Sequence, residues 1–162
     1  MGLRAEVQQA RAQAGIRVTR PATALGNIGN HDIFTITGPV LIKRLTGVVT
    51  VILAAVAATI RLQLNSIGGA VALDSATLAS NGIAAGSMLQ LPDVSTANTL
   101  AWVNAVVPIA GYALGVGADG IGLMANGGTI RLVVGGANSI TGAVQWIVVY
   151  SPLTDQSRIV PT

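Results

Sequence analysis

The sequence contains no cysteine, a single histidine and few aromatic side chains. The absence of cysteine excludes disulfide bonds and thiolate metal sites. A lone histidine, His31, argues against most hydrolytic and metal-dependent active sites, which combine an imidazole with further precisely placed groups. We therefore expect no enzyme activity, no catalytic residues, no metal site, no cofactor and no small-molecule substrate.

Charged residues are also scarce, at 9% of the chain against about 25% in typical soluble proteins. Hydrophobic residues reach 51%, there are 20 glycines, and the mean hydropathy is +0.66. The length of 162 residues fits one domain, or one domain with an arm. Two classes fit this composition: a membrane protein, or a chain that covers its apolar surface with copies of itself or with a larger body.

The positive charge is concentrated at the start of the sequence. Residues 31–162 carry equal numbers of basic and acidic groups, whereas residues 1–30 carry one glutamate and four arginines, Arg4, Arg11, Arg17 and Arg20. A cationic arm of this kind fits an acidic protein surface, nucleic acid or anionic lipid, or is a solvated terminus. No aromatic residue stands among the arginines to stack on bases, so nucleic acid is not the partner we expect.

Two long stretches carry no charge. Residues 45–60 are shorter than the ~20 apolar residues that cross a bilayer as a helix. Residues 94–118 are long enough, but serine, asparagine, proline and glycine dilute their apolar character. Neither stretch has the flanking aromatic and basic residues that orient a membrane span. A small holin-like membrane protein is therefore the third of our hypotheses.

Within the arm, residues 3–14 are rich in helix formers, with Leu3 and Val7 on one apolar stripe and Gly15 as a stop. Residues 16–30 predict an extended linker, because Pro21 and several Gly and Asn residues interrupt regular structure. The sequence thus predicts an arm over 1–30 and a β-domain over 31–162.

From His31 onward, apolar and polar residues alternate with the period of a half-buried strand. The predicted strands are separated by turn residues such as Gly38-Pro39 and Asn126-Gly127-Gly128, and residues 97–120 stay ambiguous. This pattern predicts an all-β fold, an antiparallel β-sandwich or jelly roll. The predicted strands are 32–37, 40–52, 59–64, 71–78, 87–91, 129–134 and 143–151.

The last predicted strand is apolar on both faces, with Trp146 and Tyr150 on one face and Ile147 and Val149 on the other. Such a strand is either central in its own chain or packed against a second subunit. Together with the low charge, this favours a closed homo-oligomer, a trimer by expectation, with these four residues at the subunit interface.

Three patterns that resemble functional motifs have ordinary structural explanations. Residues 115–120, GVGADG, match a dinucleotide fingerprint but lack the helix that must follow it. His31 and Asp32 are neighbours on a predicted strand, so they point to opposite faces and cannot orient one another. Trp102 and Tyr112 are compatible with a sugar-binding platform. Because the chain contains few aromatic residues in total, isolated core aromatics are the simpler explanation.

Two segments that bracket the β-region resemble small virion proteins of tailed bacteriophages. In those proteins an opening hairpin and a closing strand enclose a β-sandwich. The matching residues are Phe34, Ile36, Gly38, Pro39, Val40 and Ile42 in the opening segment, and Trp146, Tyr150, Pro152 and Leu153 in the closing one.

The resemblance implies a head decoration (cement) protein on the capsid surface of the virion, made in the bacterial cytoplasm, with the major capsid protein and further copies of itself as partners. In this hypothesis the arm reaches neighbouring capsomers, and its contact residues are Leu3, Arg4, Val7, Arg11, Arg17 and Arg20. A tail or fibre component that binds a host receptor or glycan is the alternative.

Overall fold

The structure is a computed structural model. It describes residues 15–54, 58–66, 69–72, 78–79, 82–90, 101–103, 123–136 and 140–162. These residues form an all-β structure in which every strand pairing is antiparallel and no helix occurs. The strands are β1 Ile16–Gly26, β2 Gly29–Ala54, β3 Ala58–Ser66, β4 Gly69–Ala72, β5 Leu78–Ala79, β6 Met88–Gln90, β7 Ala101–Val103, β8 Leu123–Gly136, β9 Ile140–Pro152 and β10 Arg158–Pro161.

The main hydrogen-bonded path runs in the order β1-β9-β2-β8-β3-β4, with the remaining strands paired to its members. β2 is the central element, at 26 residues. Its first half pairs with β8 over Gly29–Ile42 and its second half with β9 over Val40–Ala54, so residues 40–42 have a partner on each side. β10 pairs with residues 34–37 of β2, and β6 with residues 46–48.

Two strands predicted on either side of Gly38-Pro39 are one strand in the structure. The register between β2 and β8 shifts between Ile36 and Pro39, directly opposite Asn126-Gly127-Gly128. Gly38, Gly127 and Gly128 all have positive φ, so both strands bend at the same level without reversing. The prediction of turns at Gly38-Pro39 and at Asn126-Gly127-Gly128 was therefore wrong. A β-bulge and a tight turn both favour residues that adopt a left-handed backbone conformation, so the sequence does not distinguish them.

The linker predicted for residues 16–30 also differs from the structure. Residues 16–26 form β1, which pairs with β9 from Ile16 opposite Tyr150 to Gly26 opposite Ile140. Pro21, which argued against a strand, lies in a register shift between Arg20 and Thr23. An edge strand tolerates proline at such an irregularity, because no ladder hydrogen bond is needed there. The helix predicted for residues 3–14 lies outside the described residues.

The core is one cluster that draws side chains from both halves of β2 and from the strands beside them. The alternating residues Ile60, Leu62 and Leu64 of β3 face inward, as the period of two predicts. β9 lies between β1 and β2 and is buried on both faces over much of its length, which accounts for its apolar residues within one chain. The largest fully buried side chain is the indole of Trp146.

Gly47 of β2 makes room for that indole. A Cβ atom at this position would lie 2.8 Å from Cζ3 of Trp146 and 2.9 Å from Cγ1 of Val144. We predict that Gly47→Ala lowers the free energy of unfolding by about 2 kcal/mol, because an added methyl group overpacks a rigid core. Denaturant titration followed by tryptophan fluorescence measures this value.

The matched control is Gly135→Ala in β8, another strand glycine, where the new Cβ would meet only the Thr59 hydroxyl oxygen at 3.1 Å. That side chain rotates more freely than a buried indole, so the control variant should be less destabilised. Equal losses in the two variants would contradict the close contact between Gly47 and Trp146.

Candidate interaction surface

Among the predicted arm contacts, Arg17 and Arg20 lie in β1, while Leu3, Arg4, Val7 and Arg11 lie outside the described residues. β1 is an edge strand, and most of its residues are exposed on both faces. Residues 16–26, which were assigned to the arm, are therefore part of the sheet and form its accessible edge. The roles predicted for the arm residues stay predictions.

The structure brings Arg17 beside Val149, a predicted interface residue. Arg17 of β1 and Arg44 of β2 both pair directly with Val149 of β9, so the three side chains share one face of the sheet. Arg17 and Arg44 are exposed, and Val149 between them is half-buried.

Lys43 belongs to the same surface. It lies in the register shift between Ile42 and Arg44, and its Cδ is 3.4 Å from the position that a Cβ of Gly15 would take. That same position is 2.8 Å from Cγ1 of Val149, which places the Lys43 stem next to the valine. We call Arg17, Lys43 and Arg44, grouped around Val149, the basic patch.

Lys43 and Arg44 were missed as functional residues in the sequence. They follow one another along a strand, and adjacent strand residues normally point to opposite faces. The bulge at Lys43 removes that alternation, because it adds a residue to one strand of the pair. The signal that the sequence did offer is a pair of cations inside an otherwise apolar segment, residues 40–54.

Arg20 has an intramolecular contact. Its Nε donates a hydrogen bond to the main-chain oxygen of Thr162 at 3.0 Å, and desolvation by burial lowers the pKa of its guanidinium group. The Thr162 amide in turn donates to the oxygen of Ile33, and its hydroxyl is 3.1 Å from that of Thr35. Arg20 thus ties β1 to the chain after β10.

The four predicted subunit-interface residues differ in how far their side chains are exposed. Trp146 and Tyr150 are 1% and 3% exposed and pack in the core of a single chain, and Ile147 on the other face is also buried. Val149 alone of the four is half-buried, within the basic patch. The role of these four residues in a subunit interface stays a prediction. Among them, the side chain of Val149 is the most accessible.

His31 and Asp32 have separate partners, as their positions on a strand predict. His31 Nε2 lies 2.7 Å from the main-chain oxygen of Asn27. The Asp32 carboxylate accepts hydrogen bonds from Arg131 Nε at 2.8 Å and from the Thr129 hydroxyl at 3.1 Å. The described residues include no group of three or more histidine, aspartate or glutamate side chains that could hold a metal ion.

Asp32 and Arg131 are at the centre of a polar sheet face. Across β2, β8 and β3, the paired rows on this face are Asn30–Val133–Arg61, Asp32–Arg131–Gln63 and Thr35–Thr129–Asn65. Only one of the nine side chains is apolar, and the acidic and basic groups at the centre neutralise one another. Asp32 and Arg131 balance one another at the centre of this face, and Arg61 adds a second cation in the neighbouring row.

The receptor-binding and membrane alternatives depend on residues that the structure describes only in part. Trp102 belongs to β7, opposite Leu89 of β6, and Tyr112 lies outside the described residues. Within the described residues, no helix has the length and apolar character needed to cross a membrane.

No protein-family profile matches the sequence, and no curated protein matches it. Chains in two virus structures are weakly similar. One, from infectious bursal disease virus Gt strain, has 10% identity and a TM-score of 0.20, with 91% of this chain and 36% of that chain covered. The other, from the Gx strain, has 12% identity and a TM-score of 0.20, with 92% and 37% covered.

The present chain therefore spans only about a third of the length of those two viral chains.

We predict that Asp32→Ala lowers the free energy of unfolding by about 1 kcal/mol, because the variant leaves the partly buried Arg131 without its carboxylate. Thermal unfolding measures the loss. Asp155→Ala removes an exposed acidic side chain in the segment between β9 and β10 and serves as the control. If the two variants unfold at the same temperature, the Asp32–Arg131 pair does not stabilise the fold.

Proposed function

We propose that this chain is a structural virion protein that binds a capsid surface as a decoration, or cement, protein and assembles with copies of itself. Its place in the virion is the outside of the shell, and its partner there is the major capsid protein. The proposal includes an N-terminal arm that reaches from one capsomer to the next.

One observation carries the proposal. The two segments that resemble phage virion proteins are far apart in the sequence, yet they lie side by side as β2 and β9. Val40 pairs with Pro152 and Ile42 with Tyr150, and Gly47 pairs with Trp146 a little further along. The residues of the resemblance therefore form one contiguous hydrogen-bonded unit, as the bracket of a single β-domain requires.

The proposal extends to a two-layered β-sandwich or jelly roll. β2 takes part in two sets of strands, with β8, β3 and β4 beside its first half and β9 and β1 beside its second. Both sets contribute side chains to one core. A long strand that bends between two sets is a common way in which one strand serves both layers of a sandwich.

The attachment of β1 supports a mechanical role for the arm. Its pairing with β9 begins at Ile16, immediately after Gly15, so a force on the preceding residues passes into β1 and through β9 to β2. The fourteen residues before Gly15 span up to ~50 Å if fully extended and about 20 Å if residues 3–14 form the predicted helix, so either form can reach a subunit that adjoins the domain. An arm fixed at one end to its own body and at the other to a neighbour opposes expansion of the shell.

Localisation tests the function directly. We expect immunogold labelling of purified virions that carry this gene, with an antibody against the chain, to decorate the icosahedral shell. Labelling of the tail or fibres would favour the receptor-binding alternative, and recovery of the chain only in the host membrane fraction would favour the holin-like one. Either result would overturn the decoration function.

We predict that deletion of residues 1–14 leaves the β-domain folded but abolishes stabilisation of the heads. The shortened chain keeps all of β1, so its melting temperature should match that of the full chain, and its far-ultraviolet spectrum should keep the β-sheet signal while losing the contribution of the predicted helix. Heat-induced rupture of heads, followed by release of packaged DNA, measures the stabilisation. The arm has no cementing role if heads decorated with the shortened chain resist heat equally well.

The deletion must end before β1. Removal of residues 1–20 would also eliminate five cross-strand pairs between β1 and β9, from Ile16–Tyr150 to Arg20–Trp146. We expect this longer deletion to lower the melting temperature as well, and the comparison separates loss of the arm from loss of the fold.

A further inference from the structure

Asn126 of β8 precedes a glycine at the level where β2 and β8 both bend. Its side chain is exposed, and Gly127 and Gly128 after it both have positive φ. An asparagine followed by glycine is the pair in which a main-chain amide most readily reaches the preceding side-chain carbonyl carbon, because glycine has no Cβ to obstruct the approach. Whether that reaction occurs in a folded chain depends on how firmly the fold holds the glycine amide.

The ladder between β2 and β8 is interrupted at this pair of residues. Asn126 lies opposite Pro39, which has no N–H to donate to it. Gly127 falls in the register shift between Ile36 and Pro39 and has no partner residue in the register of the two strands. A bulge disrupts the regular ladder locally. The backbone at Asn126 and Gly127 is therefore held less firmly than the paired residues on either side of it.

A second asparagine–glycine pair, residues 81–82, has a different environment. The amide of Gly82 donates a hydrogen bond to the main-chain oxygen of Leu53 at 3.0 Å. The next residue, Ile83, forms an antiparallel bridge with Leu53, which fixes the same stretch of backbone again. Asn81 itself lies outside the described residues. An amide held in this way must give up its hydrogen bond before its nitrogen can react.

We propose that Asn126 is a site of spontaneous covalent modification, at which the residue is converted into aspartate and isoaspartate. The amide nitrogen of Gly127 loses its proton and forms a bond to Cγ of Asn126, while the Cγ–Nδ2 bond breaks and Nδ2 leaves with that proton as ammonia. Water then opens the cyclic imide at one of its two carbonyl carbons. Opening at the side-chain carbon gives aspartate, and opening at the main-chain carbon gives isoaspartate.

Isoaspartate at this position acts on the junction between the two halves of β2. The neighbouring pair is Val40 with Ala125, where both side chains are buried and where β2 begins to pair with β9 as well. Isoaspartate carries the main chain through the side-chain carbon and so adds a carbon atom to the backbone, which displaces the paired residues beside it. We therefore expect the modified chain to have a lower melting temperature.

Site-resolved mass spectrometry tests the proposal on the folded, full-length chain, incubated at mildly alkaline pH. We expect the amide-to-acid mass change, with isoaspartate, to appear at Asn126 about tenfold faster than at Asn81, because a hydrogen bond of ordinary strength lowers the population of a free amide by up to this factor. Short peptides spanning residues 122–130 and 77–85 are the matched controls. Neither peptide has a fold to hold its glycine amide, so both asparagines should convert at similar rates.

Equal or slower conversion at Asn126 in the folded chain would overturn the proposal. A tenfold difference that persists in the peptides would also overturn it, because the sequence and not the fold would then set the rates.

The effect on the junction is tested with Asn126→Gln, which keeps the side-chain amide but needs a larger ring and so reacts more slowly. This variant should keep its melting temperature during incubation, while that of the unmodified chain falls as isoaspartate accumulates. An equal fall in both chains would overturn the effect on the junction. Shell labelling of the virion, and with it the decoration function, is independent of all these outcomes.

Discussion

The structure depends on the double pairing of β2. Over Val40–Ile42 this strand forms ladders with β8 on one side and β9 on the other, and each half of the strand then continues with its own neighbours. Backbone groups that are hydrogen-bonded on both edges cannot be exposed to water without loss of both ladders. The single core, the path of the sheet and the placement of β1 all follow from this junction.

The same junction explains why Lys43 and Arg44 of β2 lie on one side of the sheet. A strand that serves two sets of neighbours must bend, and here it does so at irregularities near Gly38 and at Lys43. The second irregularity removes the alternation that would send Lys43 and Arg44 to opposite faces. A feature needed for the architecture thus also assembles the basic patch, which lies beside Gly15, the first of the described residues.

The polar and basic surfaces show two uses of charge in a chain that has little of it. Asp32 and Arg131 form an ion pair across neighbouring strands, so their opposite charges act on one another and leave little net electrostatic field. Arg17 and Arg44 are separated by a valine and have the same sign, so they repel one another in the free chain.

Periodicity in the sequence was sufficient for the all-β class, for antiparallel pairing and for strands such as β3, β6 and β9, because alternation of apolar residues depends only on burial of one face. It also separated His31 from Asp32 correctly. The sandwich, the helical arm and the oligomer stay predictions.

Tertiary structure alone decided whether a glycine-containing segment reverses the chain or bends it, because Gly38 and Gly127 have the same left-handed geometry in either case. Tertiary structure alone also places residues 16–26 in the sheet. This edge strand is stabilised by pairing with β9, more than a hundred residues away in the chain, and not by its own hydrophobic pattern. The basic patch likewise depends on register between three distant strands. Local residue preferences carry no information about register, so the sequence provided the cations and the fold determined that they meet.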